Sequence, residues 1–190
     1  MAIRKEVFVA SGIAQQWTGA ASDGLSLARA IKDMGLTVQY APRCIATSIE
    51  STHFRDVLEW TNRQAIISHI YMPEFWRFTA VAHVVSTLVL LATVAFGGAA
   101  FSLFGVVIPI AIYLGLLQAN ALTTLRAVEV VLEEPWRSMA KRQRWRLLLA
   151  APVATWLYGL NVVNSTVRRT ITWRGIRYEL VGPNQTRVCS

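Results

Sequence analysis

Between Arg77 and Arg126 the sequence holds no Asp, Glu, Lys or Arg. His83 is the only titratable side chain in that stretch apart from Tyr113. Charged residues make up 16% of the chain, against roughly 25% in soluble domains, and the deficit is concentrated there. Soluble folds rarely need so long an uncharged run, so an ordinary globular domain is excluded. A helix needs about 20 apolar residues to cross the hydrocarbon core, and the run is long enough for two passes. It predicts a transmembrane helical hairpin over 78–125, roughly 78–97 and 101–122. Gly97-Gly98 is the expected loosening point, because glycine disfavours helix and permits a turn.

Cysteine is scarce as well. Cys44 and Cys189 stand far apart, with no metal spacing and no disulfide framework. His53, His69 and His83 are not spaced as ligands, and no metal site is expected. No nucleophile triad or phosphate loop is visible. Asn164-Ser165-Thr166 and Asn184-Gln185-Thr186 fit the glycosylation pattern, a pattern short enough to recur by chance. The N-terminus lacks a charged-then-apolar signal sequence, so targeting falls to the internal spans. The net charge of +8 and the pI of about 10.2 would ordinarily suggest nucleic acid. Here the basic residues flank the apolar runs instead of forming one stripe. Arg137, Lys141, Arg142, Arg144 and Arg146 cluster just before the apolar run over 147–167. That is the pattern of a cytoplasmic loop facing anionic lipid, and no nucleic-acid partner is expected.

What remains is organised around the membrane. Residues 4–10 predict a short helix ending at Gly12. Ser22 is a suitable N-cap and Asp23 suits the first turn, where negative charge complements the helix dipole. Leu25, Ala28 and Ile31 follow at helical spacing, and Gly35 can close the helix. Leu36, Val38 and Tyr40 alternate with polar residues and predict a short strand ended by Pro42. Residues 51–77 predict an interfacial amphipathic helix. Its apolar positions are Phe54, Leu58, Ile66, Ile67 and Ile70, and its aromatic belt is Tyr71, Phe75 and Trp76. Residues 126–146 read as a basic cytoplasmic loop or second interfacial helix, broken at Pro135. Residues 147–167 read as a transmembrane or re-entrant helix, its signal weakened by Pro152, Asn161 and Asn164. The basic tail, 168–190, reads as strand, tight turn at Gly175, strand. Three full crossings would put that tail opposite residues 1–77, whereas its arginines favour the cytoplasmic side. Either the third segment is re-entrant or the tail is an exception.

Three blocks carry a family resemblance. The first joins residues 1–8 to Ser22-Asp23-Gly24-Leu25. The second runs through Trp60, Arg63 and Gln64 to Tyr71-Met72-Pro73-Glu74-Phe75-Trp76. The third is residues 171–180, with Trp173-Arg174-Gly175 at its centre. In order and spacing they resemble the C-terminal half of a membrane-bound family 2 glycosyltransferase of the ceramide glucosyltransferase-like branch. The resemblance implies a mostly α membrane protein. Residues 1–50 would be the remnant of a GT-A-type α/β catalytic domain, followed by interfacial and transmembrane helices and a short β tail. It implies an inverting transfer of a hexose from a nucleotide sugar to a membrane lipid such as ceramide or a hopanoid. Asp23 resembles the family's catalytic acidic residue, suited to take the acceptor hydroxyl proton. Trp60 matches the tryptophan of a QxxRW-type signature. Glu59 and Asp56 stand where that signature has arginine and glutamine, and Arg63 and Gln64 are the substitutes one turn later.

The family's uridine-binding strands and metal-binding DxD motif find no counterpart in this sequence. A divalent metal (Mg or Mn) and the nucleotide sugar would therefore belong to a missing N-terminal half. The resemblance begins in mid-domain at Met1, which implies a fragment inactive alone. Residues 1–77 are expected to be cytoplasmic and the chain multi-pass in the inner membrane. The alternative is a non-enzymatic membrane scaffold or subunit. A small transporter is disfavoured, because the spans lack buried charge.

Overall fold

The structure, a computed structural model, describes residues 2–41, 44, 52–99 and 103–189. It is mostly α-helical, with a short antiparallel sheet at the end. The chain divides into two compact units. The first is built from the described parts of Met1–Cys44, Glu50–Arg77 and Leu160–Ser190; the second centres on Phe78–Gly159.

In the first unit, helices α1 (Lys5–Ala10) and α2 (Ile13–Gln16) lead through a 3-10 turn, Trp17–Gly19, into α3 (Asp23–Asp33). Both ends of α3 follow from sequence. Ser22 Oγ accepts the Leu25 N–H at 3.4 Å. At the other end the Leu36 and Gly35 N–H groups reach the carbonyls of Ile31 (3.1 Å) and Lys32 (2.9 Å), with Gly35 at φ +72°. That pairing satisfies the last helical carbonyls and needs a left-handed residue. The buried face of α3 carries Ser26, Leu27, Ala30 and Ile31. It is turned from the expected Leu25, Ala28, Ile31 line because Leu27, Ala30 and Ile31 close on Ile13, while Leu25 packs elsewhere.

The strand expected from Leu36 to Tyr40 is not formed. Leu36, Val38 and Tyr40 are exposed, and the sheet pairs no strand with them. Alternation without a neighbouring strand leaves the backbone unpaired, and a lone strand is not stable in water.

Helix α4 (Phe54–Tyr71) opens with the His53 N–H donating to Asp56 Oδ2 at 3.1 Å. Its second half buries Ala65, Ile66, Ile67 and Tyr71. These pack on the C-terminal sheet, whose strands β1 (Thr170–Trp173), β2 (Ile176–Gly182) and β3 (Gln185–Cys189) pair antiparallel in that order. Ile171 and Leu180 fill the contact. The β1–β2 turn has Arg174 at φ +51° and Gly175 at φ +79°. Two positive-φ residues give a turn whose twist matches the flanking strands. The third strand was not expected from sequence.

The second unit contains most of the apolar helix. Helices α5 (Pro73–Ala99), α6 (Leu103–Val131) and α7 (Trp136–Val167) are each long and apolar enough to cross a membrane. The shortest apolar stretch, Pro73–Gly97, has 25 residues, or about 37 Å of rise against roughly 30 Å of hydrocarbon. Helix α5 runs through Gly97-Gly98 to Ala99, so these two glycines lie within its last turn. Gly97 serves close approach. A Cβ built on it would lie 2.6 Å from the Gly105 carbonyl oxygen of α6. Residues 100–102 lie outside the described residues.

The polar stretch between the second and third apolar runs is not a separate element. It is shared by the end of α6 and the first turns of α7. Arg137 Nε donates to the carbonyls of Glu129 and Leu132, both at 3.0 Å, which caps α6. Arg144 Nη2 reaches both carboxylate oxygens of Glu129, buried to 8% exposure, at 3.1 Å. Pro152 is accommodated inside α7. It has no N–H for the carbonyl four residues earlier, at Leu148. Gln118 Nε2 of α6 supplies that donor at 2.9 Å.

Candidate functional site

Asp23 is the first residue of α3 and is exposed. Its Oδ1 accepts the Gly24 N–H at 2.7 Å, and its carbonyl oxygen accepts Trp17 Nε1 at 3.1 Å. The backbone just before it is held from α4. The hydroxyl oxygen of Tyr71, the last residue of that helix, accepts the N–H groups of Ala21 (2.9 Å) and Ser22 (3.3 Å). Tyr71 is itself buried against Ile171 and Leu180. The carboxylate therefore stands at the surface, at a helix start whose preceding residues are anchored to the core.

Trp60, Arg63 and Gln64 all lie on α4. Trp60 is 56% exposed; Arg63 and Gln64 are half-buried. Trp60, Gln64, Ile67 and Tyr71 are spaced four, three and four residues apart, which lines them along one face. Arg63 sits beside that line. Gln64 is about 10 Å of helix rise from Tyr71, and Trp60 about 16 Å. The structure thus puts the three residues on one helix and ties Asp23 to its far end. Glu59, which replaces the signature arginine, pairs with Arg55 at 3.1 Å on the surface.

The sequence does not show the contacts that other residues make at this site. Asn161 Nδ2 donates to Thr61 Oγ1 at 2.8 Å, and Asn164 Nδ2 to Asn62 Oδ1 at 2.6 Å. His69 Nδ1 donates to the Ser165 carbonyl at 2.7 Å and stacks on Trp76, with centroids 4.1 Å apart. Trp76 Nε1 donates to the fully buried Ser165 Oγ at 2.8 Å. A polar ladder therefore fixes α4 and the first turn of α5 to the end of α7. The asparagines that weakened the third apolar run are rungs of that ladder, and polar residues within a span need such partners.

A family model described as glycosyl transferase family 21 matches residues 1–185. The chain belongs to glycosyl transferase family 21. The match takes in the Asp23 block, all of α4 and nearly the whole sheet, and agrees with the ceramide glucosyltransferase-like resemblance of the sequence. No curated protein and no solved structure matches the chain. A family 21 glycosyl transferase has a sugar donor and an acceptor as substrates. Among the described residues, no group of three or more His, Cys, Asp or Glu is placed to hold a metal ion. These residues do not supply the donor set for the divalent ion that the resemblance implies.

Proposed function

We propose that this chain is the membrane-bound, acceptor-side part of an inverting glycosyltransferase. It moves a hexose from a nucleotide sugar to a membrane lipid of the ceramide or hopanoid kind. The Asp23 carboxylate takes the proton from the acceptor hydroxyl. The freed oxygen forms its bond to the anomeric carbon as the bond to the nucleoside diphosphate breaks on the opposite face. Inversion follows, with the proton on Asp23 and the electron pair on the departing diphosphate. Arg63 is the fork donor for that diphosphate, with Gln64 beside it, and Trp60 offers a ring face to the sugar or lipid. The chain sits in the inner membrane as a multi-pass protein with residues 1–77 cytoplasmic. Alone, without a nucleotide-sugar-binding half, it is inactive.

One observation carries this reading. The exposed Asp23 is held by Tyr71 at the end of the helix that runs directly into the first apolar span. A base placed there meets a hydroxyl presented from lipid. Asp23→Asn is expected to lower lipid hexosylation by at least about a hundredfold in membranes where transfer depends on this chain, with insertion intact. Unchanged transfer would remove the base assignment. If deleting the chain abolished transfer while Asp23→Asn did not, it would be a scaffold subunit. The purified 190-residue chain is expected not to bind a UDP-sugar saturably, and saturable binding would refute its inactivity alone.

A further inference from the structure

Three segments far apart in sequence converge on the loop that carries Asp23. From α4 comes the Tyr71 hydroxyl, which accepts two consecutive backbone N–H groups just before Asp23. From the β2–β3 turn comes Asn184. Its Nδ2 donates to Gln16 Oε1 at 2.9 Å. Its Oδ1 lies 2.9 Å from Ser26 Oγ, which is also 2.8 Å from the Ser22 carbonyl. The single hydroxyl proton of Ser26 is shared between those two acceptors. Ser26 is 2% exposed, so this contact is sheltered from water. The backbone is close here as well: a Cβ on Gly19 would collide with the Asn184 carbonyl oxygen. The loop from Gln16 to Ser26 is thus gripped on both sides of Asp23, by one residue behind it and by the turn of the C-terminal sheet.

We propose that Asn184 and Tyr71 are positioning residues for Asp23, and that the C-terminal sheet acts as a clamp on the loop bearing the base. The inference rests on the proposed role of Asp23 and deepens it. A general base must reach its proton within about 2.6–3.2 Å, and a small misplacement costs rate without costing affinity. Neither positioning side chain is bonded to the carboxylate: Tyr71 acts through the backbone N–H groups of Ala21 and Ser22, and Asn184 through the side chains of Gln16 and Ser26. The tail is thereby part of the site although it carries no reacting group. The sequence pattern around Asn184 is that of a glycosylation acceptor, but here its amide nitrogen is engaged with Gln16.

Tyr71→Phe and Asn184→Ala test the clamp. The first keeps the ring packing and removes only the hydroxyl. Hydrogen exchange is read on the detergent-solubilised chain, independently of activity. Both variants are expected to speed exchange in residues 17–26 and leave 60–71 unchanged. In membranes where lipid hexosylation depends on this chain, kcat is expected to fall about ten- to a hundredfold, with the lipid KM within about twofold. Combining either variant with Asp23→Asn is expected to add no further loss. Val188→Ala, exposed on the same sheet, is expected to change neither readout. Unchanged exchange over 17–26 overturns the clamp, and unchanged kcat or additive losses overturn the positioning role. Full activity of Asp23→Asn overturns the base reading and the catalytic half of this proposal with it, while exchange still decides whether the clamp exists. If Asn184→Ala does not accumulate, Gln16→Ala removes one of the two bonds from an exposed position and is read in the same way.

Discussion

Pro152 and Gln118 show how one residue can repair what another removes. The proline deletes the donor for the Leu148 carbonyl, and the glutamine from α6 replaces it. An unpaired carbonyl in an apolar setting costs about 1–3 kcal/mol. Gln118→Ala is therefore expected to lower thermal stability in detergent by about that amount. Adding Pro152→Ala restores the backbone donor and is expected to recover most of the loss; an unrecovered double variant would show that Gln118 acts otherwise. The same reasoning explains which residues could be read from sequence. Ser22 and Gly35 were legible as helix ends because their partners lie within five residues. The contacts of Asn161, Asn164 and Asn184 were not legible, because their partners lie 100, 102, and 158 and 168 residues away. Asp23 is singled out by the sequence because helix start and family block coincide. Tyr71 was noticed as an interfacial aromatic, but its hydroxyl's role needs the loop folded over it.

Among the elements, the long helices were readable because their signal is local and redundant. The β tail was readable as far as its turn, where Gly175 is obligatory, and β3 was missed because its pattern follows no apolar alternation. The strand over 36–40 was misread because alternation reports a preference, while a strand also needs a neighbour. Gly97-Gly98 was read as a turn, although glycine also allows close packing. The two uses can be separated. Gly97→Leu is expected to force α5 from α6, because its Cβ would press on the Gly105 backbone. A Cβ on Gly115, on α6, meets no heavy atom within 4 Å, and Gly115→Leu is expected to be tolerated. Folded yield and melting temperature in detergent read the contrast. Equal tolerance at both positions would mean the α5–α6 approach contributes little.

For the molecule as a whole, the packing of the sheet on α4 bears on a question of parity. The chain departs from its first unit at Arg77 and rejoins it at Leu160. Ile171 and Leu180 from after the apolar helices are buried against Ile66 and Ile67 from before them. Two segments cannot share a core across a bilayer. If these helices cross a bilayer, the number of completed crossings between the two segments is expected to be even, so that the three helices competent to cross do not all do so. The two cysteines offer a direct check. A thiol reagent that cannot permeate membranes is expected to reach Cys44, which is exposed, and Cys189, which is half-buried, from the same face of sealed vesicles. Labelling from opposite faces would break the shared core. If both ends lie in one compartment, the arginines of the tail and those of the α6–α7 connection obey a single electrostatic bias only when that connection lies in the same compartment. Which helix stops short of crossing would then decide which set of positive charges is the exception.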